Sequence, residues 1–270
     1  MRNAFLNSLI CIAEKDKDLI LLTGDLGFGL FDDFESRFPG QFFNVGIAEQ
    51  NMTGIAAGLA LEGKKVFTYS LANFPTLRCL EQIRNDVCYH NLNVNIVTSG
   101  GGFSYGQLGM SHHATEDISI MRALPNVTVV VPSNEWEASH ATEKLYCSEG
   151  VGYLRIDKTN GIQDNSSDNF EIGKSVIVQS GSDVCFIVCG GIINEVIESA
   201  KSLKLAGISS EIVSMHTVKP IDTKIIKKAS KNFQLIVSVE EGNIIGGLGS
   251  AIAEYCMENN LAPNKFVRLV

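Results

Sequence analysis

The stretch Asn44-Val45-Gly46-Ile47-Ala48-Glu49-Gln50-Asn51-Met52-Thr53-Gly54-Ile55-Ala56-Ala57-Gly58 decides how the chain is read. Its apolar and small residues predict a helix over Ile47–Leu61, and its Gly and Ala positions permit close packing by neighbours. Glu49 is the only charged residue between Phe38 and Leu61. A carboxylate in such surroundings is expected to be desolvated, which raises its pKa and lets it hold or share a proton near neutrality. By composition alone, an ordinary Glu on a helix surface is the commoner reading, since most Glu residues are exposed.

Outward from this helix, short β-rich runs alternate with helical patterns. Strands are predicted at Leu19–Leu22, Val66–Tyr69, Val94–Thr98, Val127–Val131 and Gly152–Ile156, with further helices at Thr76–Tyr89 and Glu135–Tyr146. Such alternation implies parallel α/β layers. The polar, turn-rich run 159–169 reads as a linker. Beyond it a second α/β series is predicted: strands Val184–Val188, Ser210–Val213 and Leu235–Val239, and helices Ile193–Leu205 and Leu248–Met257. The domains are therefore placed at residues 1–164 and 165–270.

Composition narrows the function. Of 270 residues, 45% are hydrophobic, enough for a sizeable core, and the net charge of -8 gives no general attraction to phosphate backbones or anionic lipid. Nucleic acid and membrane surfaces are disfavoured as partners. No apolar run is long enough to span a bilayer. The N-terminal stretch reads as a first helix rather than a signal peptide, so a cytoplasmic location is expected. The seven Cys residues form no CxxC pair and read as buried free thiols; no metal site is expected in the chain.

The segment from Gly46 to Gly63 resembles the glutamate motif of the transketolase family's pyrimidine-binding domain, and the likeness extends over essentially the whole chain. It implies an α/β fold of two parallel-sheet-containing domains: a thiamine-diphosphate pyrimidine-binding domain, then a transketolase-type C-terminal domain. It also implies that Glu49 hydrogen-bonds a ring nitrogen of the cofactor's aminopyrimidine and controls the proton on the thiazolium C2. Thr23–Gly27 matches the loop after the first strand, with Asp25 near the cofactor and Leu26 supporting its bent shape. Tyr69–Phe74 matches the aromatic shelf, with Phe74 as the stacking ring. Gly109-Met110-Ser111-His112-His113 resembles the family's histidine loop, making His112 a proton shuttle or a donor to substrate oxygens. Arg2 and Arg155 match two arginines that bind a sugar phosphate, a task suited to a guanidinium fork. Read without the family, Arg2 is a surface charge and Arg155 a strand-end salt bridge. In the second domain the likeness runs through Val218–Asp222 and Val239–Gly242. The glycines of Gly246–Ser250 read as a helix-start packing element, because a Gly-rich turn is weak evidence for a nucleotide loop.

Departures from the family pattern bear on substrate. Leu108 stands where an Asp reads a donor hydroxyl, Leu71 where a second shelf aromatic stands, and Gly100 and Gly29 where a His and a Ser contact phosphate. The GDG turn and the Asn pair that ligate Mg²⁺ beside the diphosphate have no counterpart: Gly24-Asp25 is followed by Leu26. The expectation is a two-chain transferase. A separate N-terminal subunit supplies the diphosphate site and Mg²⁺, in an α₂β₂ heterotetramer that moves a two-carbon ketol unit between sugars. The alternatives are a deoxyxylulose-phosphate-synthase-like or 2-oxo-acid-dehydrogenase beta-type subunit, and a non-catalytic orphan subunit.

Overall fold

The computed structural model describes residues 1–71, 73–157 and 169–270. The chain runs α1 (Arg2–Ala13), β1 (Leu19–Thr23), α2 (Asp32–Arg37), β2 (Phe42–Asn44), α3 (Glu49–Leu61), β3 (Lys65–Leu71), α4 (Leu80–Gln82), β4 (Val94–Ser99), α5 (Asp117–Ala123), β5 (Val127–Val130), α6 (Glu135–Cys147) and β6 (Val151–Ile156). It continues with β7 (Val176–Gln179), β8 (Val184–Val188), α7 (Ile193–Leu205), β9 (Ser210–Ser214), β10 (Thr217–Lys219), α8 (Thr223–Asn232), β11 (Leu235–Val239), α9 (Leu248–Glu258) and β12 (Phe266–Leu269). The helix predicted at Thr76–Tyr89 is only partly regular: α4 is a single turn that opens into a π-helix over Ile83–Cys88. The proposed boundary after residue 164, and all of the linker run except Asn169, lie outside the described residues.

Among the described residues the strands make two sheets. The first has seven strands in the order β10-β5-β6-β4-β3-β1-β2, the second five in the order β12-β11-β8-β9-β7. Pairing is parallel except at β10 with β5 and at β7 with β9. The central strands β1, β4, β6, β8 and β9 are buried along their whole length. This is what parallel sheets covered on both faces require, and it explains the apolar runs of β1 and β8, while β4, β6 and β9 bury polar residues among their apolar ones. In α3 the buried positions Met52, Thr53, Ala56 and Ala57 fall on one stripe, while Gly54 and Gly58 face outward.

The two sheets share a core. One buried cluster joins Ile20, Val66 and Ile96 of the first sheet to Cys185, Ile187 and Val213 of the second. β10, from the C-terminal half, closes one edge of the first sheet. The Asp157 carboxylate accepts the backbone N–H of Gly101 at 2.9 Å and of Gly191 at 2.8 Å, one from each half. The Gly246–Ser250 segment packs as expected. Gly247 is the N-cap of α9, and the buried Glu240 carboxylate accepts the N–H groups of Leu248 at 2.7 Å and Gly249 at 2.9 Å. The anion that this helix start attracts is the chain's own.

The Cys residues divide. Cys11 and Cys147 are exposed, against expectation, and the other five are buried. Burial pushes the Cys79 and Cys88 thiols up to about 11 and Cys185 to about 12, so these remain protonated and unreactive at neutral pH.

His216 sits fully buried beside β10. Its ring stacks on Phe170 with centroids 4.2 Å apart, and its Nδ1 lies 2.9 Å from Thr217 Oγ1. Burial lowers its pKa from 6.5 to about 4, with the more distant Asp222 opposing. Between those two values the unfolded chain binds a proton that the folded chain refuses, so the stability this residue allows is full above pH 6.5 and falls as pH drops toward 4. The loss amounts to about 3 kcal/mol. Urea unfolding at pH 7 and pH 5 is expected to show His216→Gln losing less stability on acidification than the wild type; equal losses would show that His216 does not titrate as described.

Candidate active site

Strands β4, β3, β1 and β2 are neighbours and run parallel, so the loops that follow them gather at one edge of the first sheet. In open α/β sheets the carboxyl ends of the strands are where ligands bind. The four loops carry Asp25, Glu49, Phe74 and His112.

Glu49 opens α3 and is 1% exposed. Gly24 packs beside it: a Cβ there would stand in van der Waals contact with Glu49 Cγ, at 3.4 Å. The carboxylate is buried as the sequence implied, but it is not alone. Arg78 Nη1 donates to Glu49 Oε2 at 2.6 Å, and a buried carboxylate needs such a partner. The Arg78 guanidinium also lies over the Phe74 ring, 4.8 Å from its centroid. Phe74 is partly exposed and meets His112 edge-on at 5.0 Å. His112 Nδ1 lies 3.0 Å from Ser111 Oγ, and Asn73 Nδ2 donates to the Ser111 carbonyl at 2.8 Å. Thus Glu49, Arg78, Phe74 and His112 form one connected set.

Asp25 adopts a positive φ of 59° and is clamped to the β2 loop. Asn44 Oδ1 accepts the backbone N–H groups of Asp25 and Gly46, and Asn44 Nδ2 donates to Asp25 Oδ1, each at 3.0 Å. Leu26 is half-buried in the same loop, where its carbonyl accepts the Thr23 hydroxyl at 2.9 Å. The histidine loop closes at its base through an antiparallel bridge between Gly102 and Ala114. Within it Leu108 is 57% exposed and lines a 460 Å³ recess with Phe103, Ser104, Tyr105, Gly106 and Gln107, a lining without charge. His113 packs against Phe103, its Nε2 3.3 Å from the Gly106 carbonyl, so it braces the loop.

The two arginines expected at a phosphate lie apart from this set. Arg155 is 0% exposed and ion-paired to Asp117 at 3.1 Å, beneath Gly101, where a Cβ would collide with its guanidinium. It is the strand salt bridge of the simpler reading and offers no surface to a phosphate. Burial raises the Asp117 carboxyl while Arg155 opposes the rise, and Tyr153 donates to Asp117 Oδ2 at 2.5 Å. Arg2 is exposed on α1 and interacts with the Tyr69 phenol, which burial pushes up in pKa; no described contact joins it to Glu49, Phe74 or His112. At Gly100, with φ +84°, the Tyr105 ring occupies the space of a Cβ, so no larger residue fits there.

Sequence reasoning missed Arg78, Asn44 and Tyr105. The one available signal for Arg78 was its position four residues after Phe74.

The residues present fit the pyrimidine end of thiamine diphosphate: a buried carboxylate at a helix start, already neutralised by a planar cation, beside a partly open aromatic face. When bound, that cofactor supplies a carbon nucleophile. Fold and site thus fit a chain of the thiamine-diphosphate enzyme class.

The comparisons place it further. Residues 1–162 match the transketolase pyrimidine-binding domain and residues 173–269 the transketolase C-terminal domain. The chain belongs to the transketolase family of transferases. It is 43% identical to a putative transketolase C-terminal section of Methanocaldococcus jannaschii, across 97% of this chain and 83% of that protein. It is 34% identical to one of the subunits of an apulose-4-phosphate transketolase of Phocaeicola vulgatus, across 96% and 84%. A solved split-gene transketolase, an inactive beta4 tetramer, superposes with a TM-score of 0.90 at 35% identity, covering 100% of this chain and 88% of that one.

Proposed function

We propose that this chain is the beta subunit of a two-chain, thiamine-diphosphate-dependent transketolase that transfers a two-carbon ketol unit between sugars. The observation that carries this reading is the buried Glu49 at the start of α3, in one contact set with Phe74 and His112. Glu49 holds the aminopyrimidine ring nitrogen, Phe74 stacks on the ring, and Asp25 and Leu26 line the loop beside it. His112 faces substrate oxygens. A diphosphate-binding subunit supplies the Mg²⁺ ligands, since the sequence has no GDG turn followed by an Asn pair; a solved relative described as an inactive beta4 tetramer supports this division.

The uncharged recess around Leu108 bears on substrate. Where the bound substrate or the partner chain covers Leu108, a hydroxyl set against it loses water without gaining a partner from that side chain, at a cost of about 1–3 kcal/mol. The reading therefore favours a deoxygenated, branched or otherwise modified sugar, or a small 2-oxo acid donor, over standard ketose phosphates. Incubating the co-purified pair with a panel of such donors and following products by mass spectrometry tests it. Two-carbon transfer by the pair and none by either chain alone is the expected result; no transfer from any ketose with cofactor bound would sink it.

A further inference from the structure

Among the described residues Arg78 has two polar or ring contacts, and both lie where the pyrimidine ring is expected. Its Nη1 donates to Glu49 Oε2 at 2.6 Å, and its guanidinium carbon is 4.8 Å from the Phe74 centroid. A guanidinium is planar, delocalised and cationic, stacks on aromatic faces and donates to carboxylates. An aminopyrimidine is likewise planar, stacks and engages a carboxylate through a ring nitrogen. The side chain and the ligand thus ask for the same two partners and cannot both have them. Arg78 is 46% exposed while Glu49 is 1% exposed, so the cation can swing into solvent while the carboxylate stays in place.

We infer that Arg78 is an internal occupant of the pyrimidine site, holding the Phe74 face and the Glu49 carboxylate until the cofactor displaces it. This rests on the assignment of Glu49 and Phe74 under the proposed function. The consequence is physical. Without cofactor, Glu49 is never left buried and unpaired, a state that costs the full desolvation of a charge. The apparent affinity for cofactor is reduced by the fraction of molecules in which Arg78 has let go.

The test is calorimetric titration of thiamine diphosphate into the assembled two-chain complex with Mg²⁺, for wild type, Arg78→Ala and Arg78→Met. Thermal melts check that each variant is folded; Met keeps the apolar stem should Ala loosen the loop. Removing the occupant is expected to lower Kd about tenfold in a folded variant. An unchanged or raised Kd in the folded variants, with the wild type binding, overturns the inference and makes Arg78 a support for Glu49 instead. Binding by the variants alone is the strong form of the expected result. No binding by any of the three overturns the site assignment itself, and this inference with it.

Discussion

Glu49→Gln is expected to fold normally and to slow exchange of the cofactor's C2 hydrogen by about 10²–10⁴ in the assembled complex, the usual loss when a general acid–base group is removed. Gln has nearly the shape of Glu, and its amide oxygen can still accept from Arg78, so packing at the start of α3 is kept. It cannot supply or hold a proton as a carboxyl does. Hydrogen–deuterium exchange at C2, followed by NMR in the saturated complex, isolates this step from substrate binding. Exchange at the wild-type rate would remove Glu49 from proton control and leave its burial without a chemical role.

Asp117→Ala is expected to cost about 3–5 kcal/mol of stability, because it strands a buried cation. Arg155 is wholly buried, and Asp117 is its ion-pair partner at 3.1 Å. The same change removes the acceptor for the Tyr153 hydroxyl. The remaining neighbour, Asp157, is already engaged by two backbone N–H groups. Urea unfolding at pH 7 measures the effect, and a loss below about 1 kcal/mol would mean that the pair is not held as described. This result also bears on substrate: a structural Arg155 locked beneath Gly101 is not available as a phosphate clamp.

The sequence made the central strands readable and the edges unreadable, for one physical reason. β1, β3, β4, β6, β8 and β11 lie inside their sheets and are mostly apolar or β-branched, β8 throughout and β1 in all but its last residue. The four strands missed, β2, β7, β10 and β12, are the two edges of each sheet. They are short; burial alternates in β7 and fades along β2 and β12, and β10 is a largely buried three-residue strand, so no apolar run marks them. The π-helical stretch Ile83–Cys88 was read as ordinary helix because its periodicity of apolar residues is nearly the same.

At the site, the uncharged neighbourhood singled Glu49 out, but composition alone favoured an ordinary surface Glu, and the resemblance tipped the reading. Phe74 and His112 were legible by resemblance, and the structure brings them together. Arg78 was not, because a salt bridge across 29 residues leaves no local pattern. The burial of Arg155 was not legible, because it depends on Asp117 and Gly101, distant in sequence. The substitution of Gly at position 100 makes sense only once Tyr105 is seen to fill the space.

The central claim is that this chain holds the pyrimidine half of a divided cofactor site. Calorimetry of thiamine diphosphate against the pure chain, and against the chain with its diphosphate-binding partner, tests it most directly. Weak or no binding by the chain alone and tight, Mg²⁺-dependent binding by the pair are expected; tight, Mg²⁺-dependent binding by the single chain would mean that the cofactor site is not divided.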